Sequence, residues 1–139
     1  MGFDINFGKK EDLFGPSNSE YVIEYLNAGG EIWGTYELHL VELGSVAEGE
    51  LFGSIKVSQQ DKGVARALIE SLPSSIAKIV REHKIDILHK AEINFNPDSD
   101  SSYTKLPHIF EEMGYKNPGY INRENKLVLR KNYSRKDIL

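Results

Sequence analysis

Apolar and polar residues alternate along the first half of the chain with the period of two that is typical of β-strands. Such runs cover residues 20–26, 32–43 and 47–57, and the turn signal Asn27-Ala28-Gly29-Gly30 separates the first two. The alternation predicts three consecutive antiparallel strands, each with one face in the core. On the second strand the predicted core-facing positions are Ile32, Tyr36, Leu38 and Leu40.

After residue 63 the apolar spacing changes to three and four residues, which is the spacing of one face of an α-helix. The apolar stripe consists of Val64, Leu68, Leu72, Ile76, Ile79 and Val80. Its length predicts about five turns, and Pro73 predicts either a kink or two helices that meet near Leu72. Residues 91–95 then alternate as a strand with inward positions Ala91, Ile93 and Phe95. The order strand, loop, helix, strand predicts a right-handed crossover between parallel strands.

The remaining segments extend the same sheet. Residues 1–19 predict an edge strand followed by a loop, residues 106–113 predict a short helix that Gly114 ends, and residues 115–133 predict a hairpin that turns at 122–125. The predicted fold is α/β (α+β): a mixed, mostly antiparallel sheet with one parallel crossover and helices on its faces. The chain fits a single domain over residues 1–139, with a flexible tail at 134–139.

Composition excludes several function classes. Cysteine is absent, which excludes disulfides and thiolate chemistry, and the four histidines are too scattered to predict a metal site. Apolar runs are too short to span a bilayer and no signal peptide is visible, so we expect a cytoplasmic protein without membrane contact. The net charge of −4 disfavours nucleic-acid binding and suits cationic amines. Residues 120–139 are nevertheless basic, which favours a solvated edge strand or a docking patch for RNA or an acidic protein.

The hexapeptide Gln60-Asp61-Lys62-Gly63-Val64-Ala65 stands where the third strand turns into the helix. The first turn of a helix presents backbone N–H groups without partners, and the helix dipole adds partial positive charge there. Gly63 lets the backbone approach a pyrophosphate closely, Ala65 is small, and Lys62 adds a cation. These features predict a phosphate-binding loop, with an ordinary helix start as the alternative.

Two motifs of the chain resemble those of the GNAT superfamily of N-acetyltransferases. The family has an Arg/Gln-x-x-Gly-x-Gly/Ala loop after its fourth strand, and residues 55–65 are similar to that strand, loop and helix start. Its second motif is a helix that ends in an aromatic residue, followed by two or three polar or apolar residues, glycine and a second aromatic residue. The segment Phe110-Glu111-Glu112-Met113-Gly114-Tyr115 is similar to it. The resemblance extends in strand order over residues 20–133 and implies the GNAT fold.

The resemblance also implies a cofactor and a reaction. Coenzyme A would lie in a cleft where the strands around Val57 and Phe95 separate, and an amine would attack the bound acyl thioester directly in a ternary complex. The acceptor would be a small molecule or a protein, and acetyl-CoA the co-substrate. The residues implied in cofactor binding are Ile55, Lys56, Val57, Gln60, Asp61, Lys62, Gly63, Val64, Ala65, Asn96 and Phe110.

The chain departs from the family in its catalytic groups. Phe110 occupies the position where many members have a tyrosine that protonates the departing thiolate, which leaves Tyr103 or unassisted departure as alternatives. Glu48, Glu50 and Glu92 are the candidate general bases, and His39 is a further one, although Glu48 and Glu50 belong to the polar face of their strand. The missing acid leaves open a non-catalytic module that binds coenzyme A or a protein partner.

The segment before the second strand is shorter than the strand and two helices that the family usually has there. We therefore expect a reduced N-terminal helical region and an open acceptor cleft, suited to a large acceptor or completed by a second subunit in a homodimer.

Overall fold

The structure, a computed structural model, describes residues 2–12, 18–43, 48–59, 63–94, 106–116, 126–134 and 136. Its elements, in chain order, are β1 (Asp4–Asp12), β2 (Asn18–Leu26), β3 (Ile32–Glu42), β4 (Glu48–Val57), α1 (Val64–Glu70), α2 (Leu72–His83), β5 (Asp86–Asn94), α3 (Leu106–Glu112) and β6 (Lys126–Tyr133). None of the helices in these ranges is long and apolar enough to span a bilayer.

The six strands form one sheet whose spatial order is the order of the chain. Every neighbouring pair is antiparallel except β4 and β5, which are parallel and are joined through α1 and α2. The predicted mixed sheet with one parallel crossover is confirmed.

One face of the sheet carries the core. Every second residue of the strands points toward this face, and the described helices pack on it: Val64 and Leu68 of α1 lie against Gly34 of β3, and Phe110 of α3 lies beside Tyr36. The opposite face carries mostly polar side chains that are half-buried or exposed. Packing against one face alone therefore leaves the second face of the described sheet accessible to a ligand.

The start of β3 differs from the prediction. Tyr25 pairs with Gly34 while the next residue, Leu26, pairs with Ile32, so Trp33 forms a bulge in the ladder. The extra residue changes the face to which the preceding side chain points. Ile32, predicted to face the core, is therefore 51% exposed.

The helical segment divides as Pro73 predicted. α1 ends before Ser71, α2 begins at Leu72, and Pro73 lies in the first turn of α2, where its missing N–H breaks no intrahelical bond. Ser71 keeps helical dihedral angles, and its hydroxyl donates to the carbonyl of Leu68. Two helices meeting near Leu72 are therefore confirmed, and both contribute to the buried apolar stripe.

The predicted start of β5 was wrong by five residues, because the strand begins at Asp86 and not at Ala91. Its first half has polar His89 on the buried face and apolar Leu88 on the other, which obscures the alternation. α3 ends at Glu112, one residue before the prediction, and Gly114 follows with a φ of 91°. Of the predicted C-terminal hairpin, β6 and an isolated Lys116–Arg130 bridge are described; Ala47, Phe95 and residues 117–125 lie outside the described ranges.

Candidate functional site

β4 and β5 separate before either strand ends. Their last paired residues are Ser54 and Glu92. β4 nevertheless stays paired with β3 as far as Val57, and β5 stays paired with β6 as far as Asn94. The two strand ends thus form a wedge whose apex is the Ser54–Glu92 pair. The wedge lies where the resemblance to the GNAT family implies that the strands around Val57 separate.

Ile55, Lys56 and Val57 form one side of the wedge. Their ladder partners are on β3, so within the described residues they have no strand partner on the side of β5. Ile55 is buried, Lys56 is exposed, and Val57 is half-buried. Unpaired backbone along the last residues of a strand is a surface to which an extended ligand can add hydrogen bonds as another strand would.

The helix that follows the wedge begins at Gly63, which is the N-cap residue of α1 with a φ of 73°. A left-handed conformation at this position favours glycine. Among the described residues, no atom lies within 4 Å of a Cβ built on Gly63, and no side chain caps the first turn. Val64 is buried and Ala65 half-buried. Gln60, Asp61 and Lys62 lie outside the described residues, so the geometry of the predicted phosphate loop is described only from Gly63 onward.

A pocket of about 150 Å³ opens on the polar face of the sheet at the apex of the wedge. Its polar lining includes Glu20, Glu37, His39, Ser54, Glu92 and Lys10, and Phe52 contributes an aromatic wall. We call this the acidic pocket, because three carboxylates face one lysine in it. Two of the predicted general-base candidates, Glu92 and His39, are brought together here.

Two further predicted bases have different environments: Glu48 is exposed at the start of β4, and Glu50 forms an ion pair. The Glu50 carboxylate accepts a hydrogen bond from the Lys90 ammonium at 2.9 Å, and it is not among the lining residues of the acidic pocket. The Lys90 ammonium also lies 5.2 Å from the centroid of the Phe52 ring. This arrangement gives Glu50 an ion-pairing role between β4 and β5.

Phe110, the residue at the expected acid position, is completely buried. Its ring centroid lies 6.4 Å from that of Tyr36 and 5.1 Å from that of Tyr115. It therefore packs against hydroxyl-bearing side chains while carrying none itself. Its predicted contact with a cofactor stays a prediction, and the alternative hydroxyl, that of Tyr103, lies outside the described residues.

Four buried side chains beside Phe110 form what we call the buried polar cluster: Tyr36, His89, Tyr115 and Tyr133. His89 Nδ1 lies 2.7 Å from the Tyr115 hydroxyl oxygen, which lies 2.8 Å from that of Tyr133. Burial lowers the pKa of His89 to about 3, so its imidazole is neutral at pH 7. Burial also raises the pKa of each of the three tyrosines, which keeps their hydroxyls protonated.

The alternation of the sequence puts members of this cluster at core positions, but it does not distinguish a buried polar cluster from ordinary apolar packing. Tyr36 is a core position of the β3 alternation, and His89 is one of four scattered histidines. A strand that begins at Asp86 puts His89 on the same buried face as Ala91. A histidine at a buried strand position needs polar partners, and that requirement is the sequence signal for the cluster.

No family model matches the sequence, and no match was found among curated proteins. Solved structures do match. Mutant forms of the spermidine/spermine N-acetyltransferase SpeG from Vibrio cholerae align at 20% identity over 90% of this chain and 71% of theirs, with a TM-score of 0.51. An acetyltransferase of the GNAT family from Streptococcus pneumoniae aligns at 14% identity over 83% of this chain and 67% of its own, with a TM-score of 0.53. The chain has the GNAT fold.

A further structure with the GNAT fold is the Vibrio cholerae spermidine N-acetyltransferase in complex with CoA and spermine. It aligns at 20% identity over 88% of this chain and 68% of its own, with a TM-score of 0.50. At such identities the likeness concerns the fold. The expectation that the two sequence motifs belong to a GNAT fold is thereby confirmed.

Asn96, which the resemblance places at the cofactor arm, is not among the described residues. In the described ranges, no group of three or more His, Cys, Asp or Glu side chains is arranged to hold a metal ion.

Proposed function

We propose that the protein is an N-acyltransferase that moves an acetyl or similar acyl group from coenzyme A to a primary amine. The observation that carries the proposal is the wedge, in which β4 and β5 lose their pairing after Ser54 and Glu92 but remain in the sheet. A thioester held there lies between a free strand edge and the acidic pocket. Both reactants can then meet at one point, as direct transfer requires.

On the cofactor side, the pantetheine arm pairs with the backbone of Ile55, Lys56 and Val57. The pyrophosphate binds at Gln60–Ala65, where Gly63 allows close approach and unpaired N–H groups of α1 donate. Asn96, which follows β5 in the sequence, is assigned to the arm by the resemblance alone. The structure of a protein with the same fold in complex with CoA and spermine supports this choice of ligands.

On the acceptor side, the amine enters through the acidic pocket. Carboxylates at Glu20, Glu37 and Glu92 attract a protonated amine. Transfer requires the neutral amine, so Glu92, which stands at the apex of the wedge, takes its proton directly or through water. A backbone N–H near Val57 donates to the oxyanion of the tetrahedral intermediate. The carbon–sulfur bond then breaks, giving the amide and coenzyme A.

The cofactor site is tested by calorimetric titration of acetyl-CoA into the wild-type protein and a Gly63→Glu variant. A negative side chain at a pyrophosphate site should abolish measurable binding. Gly30→Glu is the matched control, because Gly30 also has positive φ and open space around its α-carbon but lies in the β2–β3 turn. Equal affinity in all three proteins would remove Gly63 from the cofactor site.

Catalysis needs a separate test, because Phe110 has no proton to donate. Coenzyme A release is measured with acetyl-CoA and a panel of polyamines, amino acids, aminoglycosides and peptides, and the amide product is identified by mass spectrometry. Turnover on any amine supports the enzyme. Tight cofactor binding without turnover would instead favour a GNAT-like module that binds coenzyme A or a protein partner.

A further inference from the structure

Two atoms of the buried polar cluster have no hydrogen-bond partner among the described residues: the hydroxyl oxygen of Tyr36 and Nε2 of His89. Tyr36 is 1% exposed and His89 is fully buried. Buried polar atoms in native proteins nearly always have partners, so a pair without any suggests a role that packing does not explain. Both atoms belong to titratable side chains, and the proposed chemistry of Glu92 and Val57 uses neither.

The two atoms point at the same place, which is Gly53 on β4. A Cβ built on Gly53 would lie 2.6 Å from the Tyr36 hydroxyl oxygen and 2.7 Å from His89 Nε2. Only a residue without a side chain fits between them. The two atoms therefore lie near each other without a hydrogen bond between them, and their separation suits one bridging water molecule.

This place is next to the wedge. Gly53 directly precedes Ser54, which forms the last β4–β5 pair, and Tyr36 is the β3 partner of Ile55 inside the wedge. The charge of Glu92 is near enough to contribute, after burial and Tyr133, to the raised pKa of Tyr36. Tyr36 therefore connects the two places: its backbone pairs with Ile55 in the wedge, and its hydroxyl lies in the buried polar cluster.

From His89 the cluster continues toward β6. His89 Nδ1 contacts the Tyr115 hydroxyl, and the Tyr115 hydroxyl contacts the Tyr133 hydroxyl. The half-buried Lys131 ammonium lies 5.0 Å from the centroid of the Tyr133 ring. Hydroxyl and imidazole groups each accept one proton while releasing another. A row of them can pass a proton inward without any member holding a charge for long.

We propose that the Tyr36 hydroxyl is the general acid that protonates the departing thiolate, and that His89, Tyr115 and Tyr133 return the proton. This inference rests on the proposed acyl transfer. As the carbon–sulfur bond breaks, the electron pair goes to sulfur and the Tyr36 O–H proton forms the thiol. Tyr36 regains a proton from His89 Nε2 through one bridging water molecule, while His89 Nδ1 takes one from Tyr115, Tyr115 from Tyr133, and Tyr133 from solvent. The proton lost by the amine leaves through Glu92, so protons balance.

Phe110 fits this assignment. Its ring packs against Tyr36 and Tyr115 and is fully buried. An apolar side chain there shields the row of hydroxyls from bulk solvent without competing for their hydrogen bonds. A general acid is therefore present although position 110 is not a tyrosine, because Tyr36 of β3 supplies it.

The test compares Tyr36→Phe with Tyr25→Phe, a control that removes the hydroxyl of another buried tyrosine on the same face of the sheet. With acetyl-CoA, Tyr36→Phe should lower kcat about 100-fold, the usual contribution of a general acid, while calorimetric affinity for coenzyme A stays unchanged. With an acetyl thioester of nitrothiophenol, whose thiolate leaves without protonation, the loss in kcat/KM should shrink to a few-fold. Tyr25→Phe should resemble the wild type with both donors.

Equal losses with both donors, or no loss with either, would overturn the acid role of Tyr36 while leaving the proposed function intact. A wild-type protein that does not bind acetyl-CoA would overturn the proposed function and this inference with it. His89, Tyr115 and Tyr133 act on the thiolate only through Tyr36, so their role needs a separate measurement. The solvent deuterium isotope effect on kcat should fall in Tyr115→Phe, since the row is interrupted there, and an unchanged effect would remove Tyr115 and Tyr133 from the proton path.

Discussion

On the polar face of the sheet, the sequence pattern does not distinguish the roles of individual carboxylates. The alternation of apolar and polar residues puts both Glu50 and Glu92 on strands, and it does not show which of the two is the general base. Their neighbours do so in the structure. Lys90 pairs with Glu50, whereas Glu92 lines the acidic pocket with Glu37 and His39. A partner from the adjacent parallel strand depends on register, and register between distant segments cannot be derived from one chain alone.

The two glutamates therefore give a matched pair of variants. We expect Glu92→Gln to lower kcat/KM for the amine about 100-fold, because an amide cannot accept the proton. The loss should diminish as pH rises and more of the free amine is already neutral. Glu50→Gln should leave the kinetics within a few-fold of wild type and reduce stability by no more than about 1 kcal/mol, as for a partly exposed ion pair. Steady-state assays across pH check both, and an effect of Glu50→Gln as large as that of Glu92→Gln would reverse the assignment.

At the scale of elements, the sequence pattern predicted the helical segment that contains α2 but not the polar contacts that join α2 to the sheet. The Tyr21 hydroxyl of β2 contacts Glu82 at 2.8 Å and His83 Nε2 at 2.6 Å, and His83 Nδ1 contacts Glu42 of β3 at 2.8 Å. The last turn of α2 is thus held to two strands by polar contacts. Strands and helices follow from period, but such contacts join residues far apart along the chain.

Replacing Tyr21 by phenylalanine tests this link. We expect the free energy of unfolding to fall by about 1–2 kcal/mol, because a buried hydroxyl and its partners lose their hydrogen bonds.

The pKa of Glu82 is lowered in the folded protein, first of all by the hydrogen bond from Tyr21. The charged form of Glu82 therefore stabilises the fold above its unfolded pKa, and this contribution is lost as pH falls through the folded pKa. In Tyr21→Phe the Glu82 pKa should rise toward its usual value. Urea unfolding and NMR titration measure the two effects, and Tyr25→Phe, whose ring stacks on Phe3 and Trp33, is the control.

For the whole molecule, the period of the sequence predicted the antiparallel strands and the parallel crossover, whereas the place where the sheet opens was implied by the resemblance to the GNAT family. The sequence did not predict the buried polar cluster, whose members come from β3, β5, β6 and the turn after α3. Its geometry exists only once the whole sheet has formed. Such a cluster ties the site to global stability, since a neutral histidine at its centre makes the folded state sensitive to acid.

His89 gives the prediction that tests this dependence. Its pKa is lowered by burial from 6.5 to about 3, so below pH 6.5 the unfolded chain binds a proton that the folded chain does not. The contribution of neutral His89 is therefore fully present above pH 6.5 and is lost as pH falls toward 3, by up to about 1.4 kcal/mol per pH unit. We expect the stability advantage of the wild type over His89→Gln to shrink between pH 6.5 and 4, because other acidic groups affect both proteins alike. Denaturant unfolding at several pH values measures the difference, and a difference that stays constant over this range would mean that His89 is protonated as readily in the folded protein as in the unfolded chain.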